Sequence, residues 1–174
     1  MSGRKTAVLF VCLGNICRSP LAEAVFRKQV KEAGLEDVIE VDSAGTSSYH
    51  AGEGPDPRTV KVARARGVEM TGRARQIRRE DAKRFDYIIA MDEMNLRDVQ
   101  RLVAEAGAHS PRVMRLREFD PEARGDLDVP DPYYGGPQGF EKVHDIVERS
   151  CAALLQHIVA ERGLNAGAGR RADS

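Results

Sequence analysis

The chain has 174 residues, in which 27 lysines and arginines balance 27 aspartates and glutamates. This length fits one domain, and a net charge of zero gives no overall attraction to nucleic acid or to an anionic membrane surface. No apolar stretch approaches the ~20 residues that a membrane-spanning helix needs. The three cysteines are an odd number and two share one loop, unlike a secreted disulfide framework, so we expect a soluble, cytoplasmic protein.

The first predicted element is a buried strand around Val8–Val11, a continuous apolar run of the kind found in strands covered on both faces. A helical pattern begins at Pro20, and Ser19 is suited to its N-cap, with the proline at the first helical position. Gly34 marks the end of this helix. A strand and a helix therefore meet in the short loop between them.

Strands and helices alternate along the rest of the chain. The patterns predict strands at 38–46, 85–92 and 112–119, and helices at 57–67, 93–107 and 141–163. Basic runs near 64–66 and 73–79 are interpreted as solvated helix faces. The alternation predicts an α/β fold, with a central parallel, about four-stranded twisted sheet and helices on both faces. We assign residues 1–162 to this single domain and expect 163–174 to be a disordered tail.

The loop "CLGNICRS", residues 12–19, has the composition of an anion-binding site. Sites in such folds lie at the carboxyl ends of strands, where Cys12 falls. Backbone N–H groups and a helix N-terminus can bind an anion, Gly14 permits unusual dihedrals, and Arg18 offers a fork that matches phosphate oxygens. The predicted phosphate-binding residues are Leu13, Gly14, Asn15, Ile16, Cys17, Arg18 and Ser19.

Cys12 gives this phosphate site a nucleophile of its own. A free cysteine is only a few per cent thiolate at neutral pH, but the dipoles and the arginine that bind phosphate also favour the thiolate of Cys12. Ser19 could donate a hydrogen bond to the sulfur. A thiolate that faces a bound phosphate is a nucleophile for phosphoryl transfer.

The pattern Cys-x5-Arg-Ser is similar to the signature of protein tyrosine phosphatases. The longer string "VCLGNICRSP", with "DSAGT", "AMDEMNLRD" and "DPYYGG" in this order, resembles the low-molecular-weight class over about residues 6–160. The resemblance implies that Arg18 binds the phosphoryl group while Cys12 attacks phosphorus. It also implies that Asp131 protonates the leaving oxygen and then activates the water that hydrolyses a phosphocysteine. Neither a metal nor a cofactor is expected.

Other residues receive supporting roles from the same resemblance. Asn15 would hold the loop in its strained shape with Ser43 as a hydrogen-bond partner, and Ser19 would stabilise the thiolate. Family members often have a histidine that bonds the carboxylate at the position of Glu23, where this chain has Gly72. We expect Arg73 or Arg75 to take the place of this histidine in the network that supports the loop.

The resemblance also describes the pocket and its redox chemistry. Ile16 favours phosphotyrosine, because relatives that act on phosphoarginine carry threonine there. Cys12 and Cys17 could form a reversible disulfide, whereas Cys151 is predicted to be a buried core thiol. The residues expected to wall the mouth of the pocket are Leu13, Ile16, Tyr49, Tyr133 and Tyr134.

Three alternatives stay open beside a tyrosine phosphatase. The first is a protein arginine phosphatase of the same fold. The second is an arsenate reductase, although residues 72–110 contain none of the additional cysteines such enzymes use. The third is a non-catalytic phosphate-binding module, which the presence of both Cys12 and Asp131 disfavours. We expect phosphotyrosine proteins as partners, no nucleic acid or membrane, and a monomer with weak self-association left open.

Overall fold

The fold is built around a parallel sheet of four strands in the order β2-β1-β3-β4. The computed structural model describes residues 4–107, 111–132 and 138–165. The strand order and the parallel pairing confirm the predicted fold class. The strands are β1 (Thr6–Cys12), β2 (Ile39–Gly45), β3 (Tyr87–Ala90) and β4 (Arg112–Arg115).

Helices cover both faces of the sheet, and every residue of β1 is buried between them. Val8, Phe10 and Cys12 belong to the apolar cluster formed with the first and last helices, whereas Leu9 and Val11 belong to the cluster on the other face. This two-sided burial explains the continuous apolar run in the sequence. The helices are α1 (Arg18–Glu32), α2 (Pro57–Ala65), α3 (Arg79–Arg84), α4 (Glu93–Ala106) and α5 (Gly139–Arg162).

The predicted N-cap of α1 is wrong. The helix begins at Arg18, Cys17 occupies the N-cap position without a side-chain cap, and Ser19 lies inside the first turn. The hydroxyl of Ser19 is completely buried 2.9 Å from the sulfur of Cys12, and its oxygen accepts from Asn15 Nδ2 instead of from a backbone N–H of the helix. The predicted end is confirmed, since Gly34 follows the helix with a φ of 73°.

The second basic run is not a solvated helix face. Residues 73–78 precede α3 without forming a helix, and Gln76 forms an isolated bridge with Gly45 at the end of β2. Ala74 and Ile77 are buried, and Arg75 is held by ion pairs with Asp42 and Asp81. The short helix α3 itself was not predicted, because six residues give too little helical periodicity to recognise.

The structure divides the last predicted strand into two elements and describes the first residues of the predicted tail. The segment predicted as one strand at 112–119 divides into β4 and a 3-10 helix over Leu116–Phe119. At the other end of the domain, Gly163 ends α5 in a left-handed conformation, and Leu164 packs against the core. The tail prediction concerns mostly 166–174, which lie outside the described residues. Within the described ranges, no helix is long and apolar enough to cross a membrane.

Candidate active site

The loop after β1 has a strained backbone that the end of β2 supports. Asn15 has a φ of 58° and is the one non-glycine residue in the left-handed region among those described. The N–H groups of Thr46 and Ser47 donate to the carbonyls of Cys12 and Leu13, both at 2.9 Å. A Cβ atom on Gly45 would lie 2.7 Å from the carbonyl oxygen of Leu13, so only glycine allows this close approach.

Buried hydrogen bonds hold the loop around Asn15. Its Nδ2 donates to the hydroxyl oxygens of Ser19, at 2.8 Å, and of Ser43, at 3.0 Å, while its Oδ1 accepts from the backbone N–H of Arg75 at 3.0 Å. The sulfur of Cys12 lies 2.9 Å from the Ser19 hydroxyl and accepts from the backbone N–H of Asn15 at 3.2 Å. Asn15, Ser19 and Ser43 thus make the contacts their predicted roles require.

Arg18 is buried, and one side of its guanidinium is fixed by two acceptors. Its Nη1 donates to Asp92 Oδ2 at 2.8 Å and to the carbonyl of Val129 at 3.0 Å. Its Nη2 lies 4.0 Å from Asp131 Oδ2. Burial by itself lowers the pKa of Arg18, but Cys12, Asp92 and Asp131 outweigh it and raise the pKa above its usual range. The guanidinium is therefore held in place and fully charged.

Asp92 and Val129 were not identified as site residues from the sequence. Asp92 could have been, because it follows β3 directly, and polar residues after parallel strands gather at one edge of the sheet. Its own Oδ1 also accepts from the N–H of Asn95, which caps α4 and fixes the carboxylate. Val129 contributes through its carbonyl group, which no sequence pattern marks.

The segment before Asp131 is anchored at several points. The N–H of Val129 donates to the carbonyl of Met91 at 2.7 Å, and Arg117 Nη1 donates to the carbonyl of Asp128 at 3.1 Å. The carboxylate of Asp128 accepts from Arg115 Nη1 at 3.2 Å. These contacts position the segment so that Asp131 lines the same cavity as Cys12.

This cavity has a volume of about 370 Å³, which is within the usual range for small-molecule sites. It brings together the three predicted catalytic residues and the predicted wall residues that the structure describes. Tyr133 and Tyr134 lie outside the described residues. Ser47 and His50 were not predicted; Nδ1 of His50 lies 3.1 Å from Glu53 Oε2. The lining residues are Cys12, Leu13, Gly14, Ile16, Cys17, Arg18, Ser47, Tyr49, His50 and Asp131.

All three cysteines are buried free thiols. Burial raises the pKa of Cys17 to about 12, although the nearby hydroxyl of Thr59 acts in the opposite direction. Burial also raises the pKa of Cys151, which packs in the core as predicted. The described residues contain no group of three or more histidines, cysteines, aspartates or glutamates that could hold a metal ion.

The model of the family "Low molecular weight phosphotyrosine protein phosphatase" matches residues 7–164. The chain belongs to this family. The resemblance read from the motifs is thereby confirmed. A "Low molecular weight protein-tyrosine-phosphatase" of Streptomyces coelicolor is 50% identical over 149 residues, which cover 85% of this chain and 90% of that protein.

Solved structures of the family have the same fold. A protein tyrosine phosphatase from Entamoeba histolytica, with Hepes in its active site, is 40% identical and superposes with a TM-score of 0.81, covering 91% of this chain and 99% of its own. An arginine phosphatase from Drosophila is 34% identical, with a TM-score of 0.80 and coverage of 86% and 96%. Both lie within one fold, so the fold does not by itself choose between phosphotyrosine and phosphoarginine.

The contacts of Glu23 correct the expectation about Gly72. Glu23 Oε1 accepts from the Ser43 hydroxyl at 2.6 Å, and Arg27 Nη2 lies 2.8 Å from its Oε2. The side chain of Arg73 donates instead to the carbonyl of Gly52. Arg75 joins the network through its backbone N–H, while its side chain pairs with two aspartates. The charged partner of Glu23 therefore comes from its own helix.

Proposed function

We propose that this phosphatase hydrolyses phosphotyrosine in proteins, with Cys12 as nucleophile, Arg18 as phosphate-binding residue and Asp131 as general acid and base. One observation carries the proposal: Cys12, Arg18 and Asp131 line one cavity of about 370 Å³. The family signature indicates the reaction class, and the arrangement of the three residues supports the roles proposed for them.

In the first step, Arg18 and the N–H groups of the loop bind the phosphoryl oxygens. The sulfur of Cys12 forms a bond to phosphorus as the bond from phosphorus to the phenolic oxygen breaks. Asp131 gives its proton to that oxygen, which leaves as tyrosine. The sulfur of Cys12 accepts a hydrogen bond from the N–H of Asn15 and lies 2.9 Å from the hydroxyl of Ser19. These two contacts suit it to carry negative charge before the attack.

In the second step, the Asp131 carboxylate takes a proton from water as the water oxygen attacks phosphorus. The bond between sulfur and phosphorus breaks, inorganic phosphate leaves, and the thiolate is restored. The cycle begins with a thiolate and a protonated carboxyl group in one cavity, so the two environments must differ.

The shape of the cavity supports phosphotyrosine as the substrate. Cys12 lies buried at its base, while Tyr49, 83% exposed, stands at its mouth, so a substrate must reach inward to meet the sulfur. The apolar side chains of Leu13 and Ile16 suit the phenyl ring along that path. Because the phosphoserine side chain is shorter than that of phosphotyrosine, we expect it to be the poorer substrate.

We further propose that the enzyme acts as a monomer in the cytoplasm. The three free thiols suit a reducing compartment. The exposed large hydrophobic side chains in the described part of the chain are Leu13, Tyr49 and Met94, of which the first two line the cavity. This leaves little apolar surface for a stable dimer, and sedimentation at several concentrations tests the point.

Reversible oxidation of the site is also proposed. Peroxide would convert Cys12 to a sulfenic acid, and condensation with the Cys17 thiol would release water and form the disulfide. Both residues line the same cavity. A mass lower by two hydrogens in the peptide that contains both residues, reversed by a dithiol, is the expected result.

The deciding experiment compares a phosphotyrosine peptide with a phosphoarginine peptide in the presence of a chelator. We expect wild-type hydrolysis of phosphotyrosine, no turnover by Cys12→Ser, and a loss of about 10²–10⁴ in kcat for Asp131→Asn. Glu105→Gln is the control, because Glu105 lies on the exposed face of α4, 3.9 Å from Arg79 and away from the cavity residues. A strong preference for phosphoarginine would refute the substrate, and turnover by Cys12→Ser would refute the mechanism.

A further inference from the structure

Arg27 connects the first helix to the sheet beside the catalytic loop. Its Nη2 lies 2.8 Å from Glu23 Oε2, one helical turn earlier, and donates to the carbonyl of Val41 in β2 at 2.8 Å. Glu23 is 14% exposed in its side chain, whereas Arg27 is 51% exposed. An exposed arginine thus holds a nearly buried carboxylate from the solvent side.

The other oxygen of this carboxylate sets the direction of a hydrogen bond. An ionised carboxylate can only accept, so the Ser43 hydroxyl, 2.6 Å from Glu23 Oε1, is the donor. The Ser43 oxygen is then an acceptor toward its other neighbour, the Nδ2 of Asn15 at 3.0 Å. The ion pair with Arg27 is therefore the start of an ordered series of donors and acceptors.

The series continues to the sulfur. The Oδ1 of Asn15 accepts from the backbone N–H of Arg75, which fixes the amide so that its two Nδ2 hydrogens go to Ser43 and Ser19. The Ser19 oxygen accepts one of them, and its own hydrogen remains for an acceptor. The sulfur of Cys12 at 2.9 Å is closer than the carbonyl of Ala44 at 3.3 Å. A thiolate at Cys12 thus receives the last hydrogen of the series.

We propose that Arg27 is a positioning residue for the reaction, because it holds the Glu23 carboxylate as the acceptor for the Ser43 hydroxyl. The Ser43 oxygen can then accept one Nδ2 hydrogen of Asn15, and the other Nδ2 hydrogen goes to Ser19, which is left to donate to Cys12. The proposal rests on the role proposed for Cys12. Arg27 does not touch the cavity, so its effect reaches the sulfur only through Glu23, Ser43, Asn15 and Ser19. Its loss leaves the carboxylate free to turn toward water and leaves Ser43 without a fixed acceptor.

The test compares Arg27→Met, which keeps the length of the side chain and removes its charge and donors, with Arg27→Lys, which keeps the charge. Arg101→Met is the matched control, because Arg101 pairs with Asp98 at 3.4 Å on the exposed face of α4. For each purified variant we would measure kcat and KM on a phosphotyrosine peptide, and the rate of Cys12 alkylation by iodoacetate between pH 5 and pH 8. Circular dichroism gives the folded fraction used to normalise both.

We expect Arg27→Met to lower kcat and the alkylation rate below neutral pH by about three- to tenfold, as for the loss of one hydrogen bond, with little change in KM. Arg27→Lys recovers most of both, and Arg101→Met matches wild type. Adding Arg27→Met to Glu23→Gln should lower kcat no further, because both substitutions remove the ion pair between Arg27 and Glu23.

Two results would overturn the proposal while phosphatase activity stands. One is an Arg27→Met enzyme whose normalised kcat and alkylation profile equal those of Arg101→Met. The other is a loss of kcat that only follows the unfolded fraction, which is a merely structural effect. Failure of the proposed function has a different signature: wild type would not cleave the peptide, or Cys12→Ser would.

Discussion

Asn15 combines an unfavourable backbone conformation with three buried hydrogen bonds, and two substitutions separate these terms. Asn15→Gly removes the side chain but accepts the φ of 58° without strain. Asn15→Ala removes the same hydrogen bonds but keeps a Cβ atom in the left-handed region. Because both variants keep the backbone N–H that donates to Cys12, they differ from each other in the backbone term alone.

The contacts give the size of each term. Asn15 is 3% exposed and bonds to Ser19, Ser43 and the backbone of Arg75, all at 2.8–3.0 Å. At about 1 kcal/mol for each net hydrogen bond, losing all three should lower the free energy of unfolding by about 3 kcal/mol, which is the loss expected for Asn15→Ala because alanine keeps a Cβ atom in the left-handed region as asparagine does. Asn15→Gly loses the same hydrogen bonds but relieves a left-handed strain of ~1 kcal/mol, so it should lose about 2 kcal/mol.

Urea unfolding followed by circular dichroism measures both variants against wild type, with kcat recorded on the same samples. We expect the order wild type, then Asn15→Gly, then Asn15→Ala in stability, and kcat reduced by a similar factor in the two variants. An Asn15→Ala protein at least as stable as Asn15→Gly would refute the reasoning about the backbone. An Asn15→Gly protein as stable and active as wild type would refute the role of the network.

Three further predictions concern other buried groups. Burial and the nearby Arg66 lower the pKa of His144 in the folded protein. As the pH falls, the unfolded chain therefore binds a proton at this histidine at a higher pH than the folded chain does. The free energy of unfolding should then fall as the pH drops below about 6.5, by up to ~1.4 kcal/mol per pH unit, and His144→Phe should flatten that slope in urea unfolding. The carboxylate of Asp120 is fully buried between Arg117 and Arg149, so Asp120→Asn should cost about 3 kcal/mol in the same assay. Finally, iodoacetate at pH 8 should modify Cys12 before Cys17 and Cys151 in peptide mass spectra, since burial raises the pKa of the latter two.

The parts of the fold that the sequence revealed are those whose pattern is local. β1 reads as a continuous apolar run because each of its residues is buried, and α4 and α5 show helical periodicity along one buried face. The loop from Cys12 to Ser19 is equally local, since strand, glycine and helix start follow one another within it. The short α3 and the bridge at Gln76 lack such a pattern, because tertiary contacts alone define them.

The candidate site likewise contains residues that a local motif marks and residues that only the folded chain brings to the site. Motifs located Cys12, Arg18 and Asp131, but the groups that orient Arg18 are distant in sequence: Asp92 lies 74 residues away and the Val129 carbonyl 111 residues away. A backbone carbonyl carries no residue-type signal at all. The wrong N-cap prediction for Ser19 has a related cause. A serine before a proline is typical of an N-cap, and the sequence does not show that the Ser19 hydroxyl instead contacts the buried sulfur of Cys12.

The geometry around Arg18 explains why the loop motif alone does not make a site. A guanidinium that could rotate would have to be reoriented in each turnover, whereas groups fixed before the reaction need no such reorganisation. Asp92 and Val129 fix one edge of Arg18 from two other segments of the chain, and the Asn15 network fixes the loop that carries Cys12. The nucleophile and the phosphate-binding group are thus held by separate sets of contacts. A substitution in either set can therefore impair catalysis while every residue of the motif stays in place.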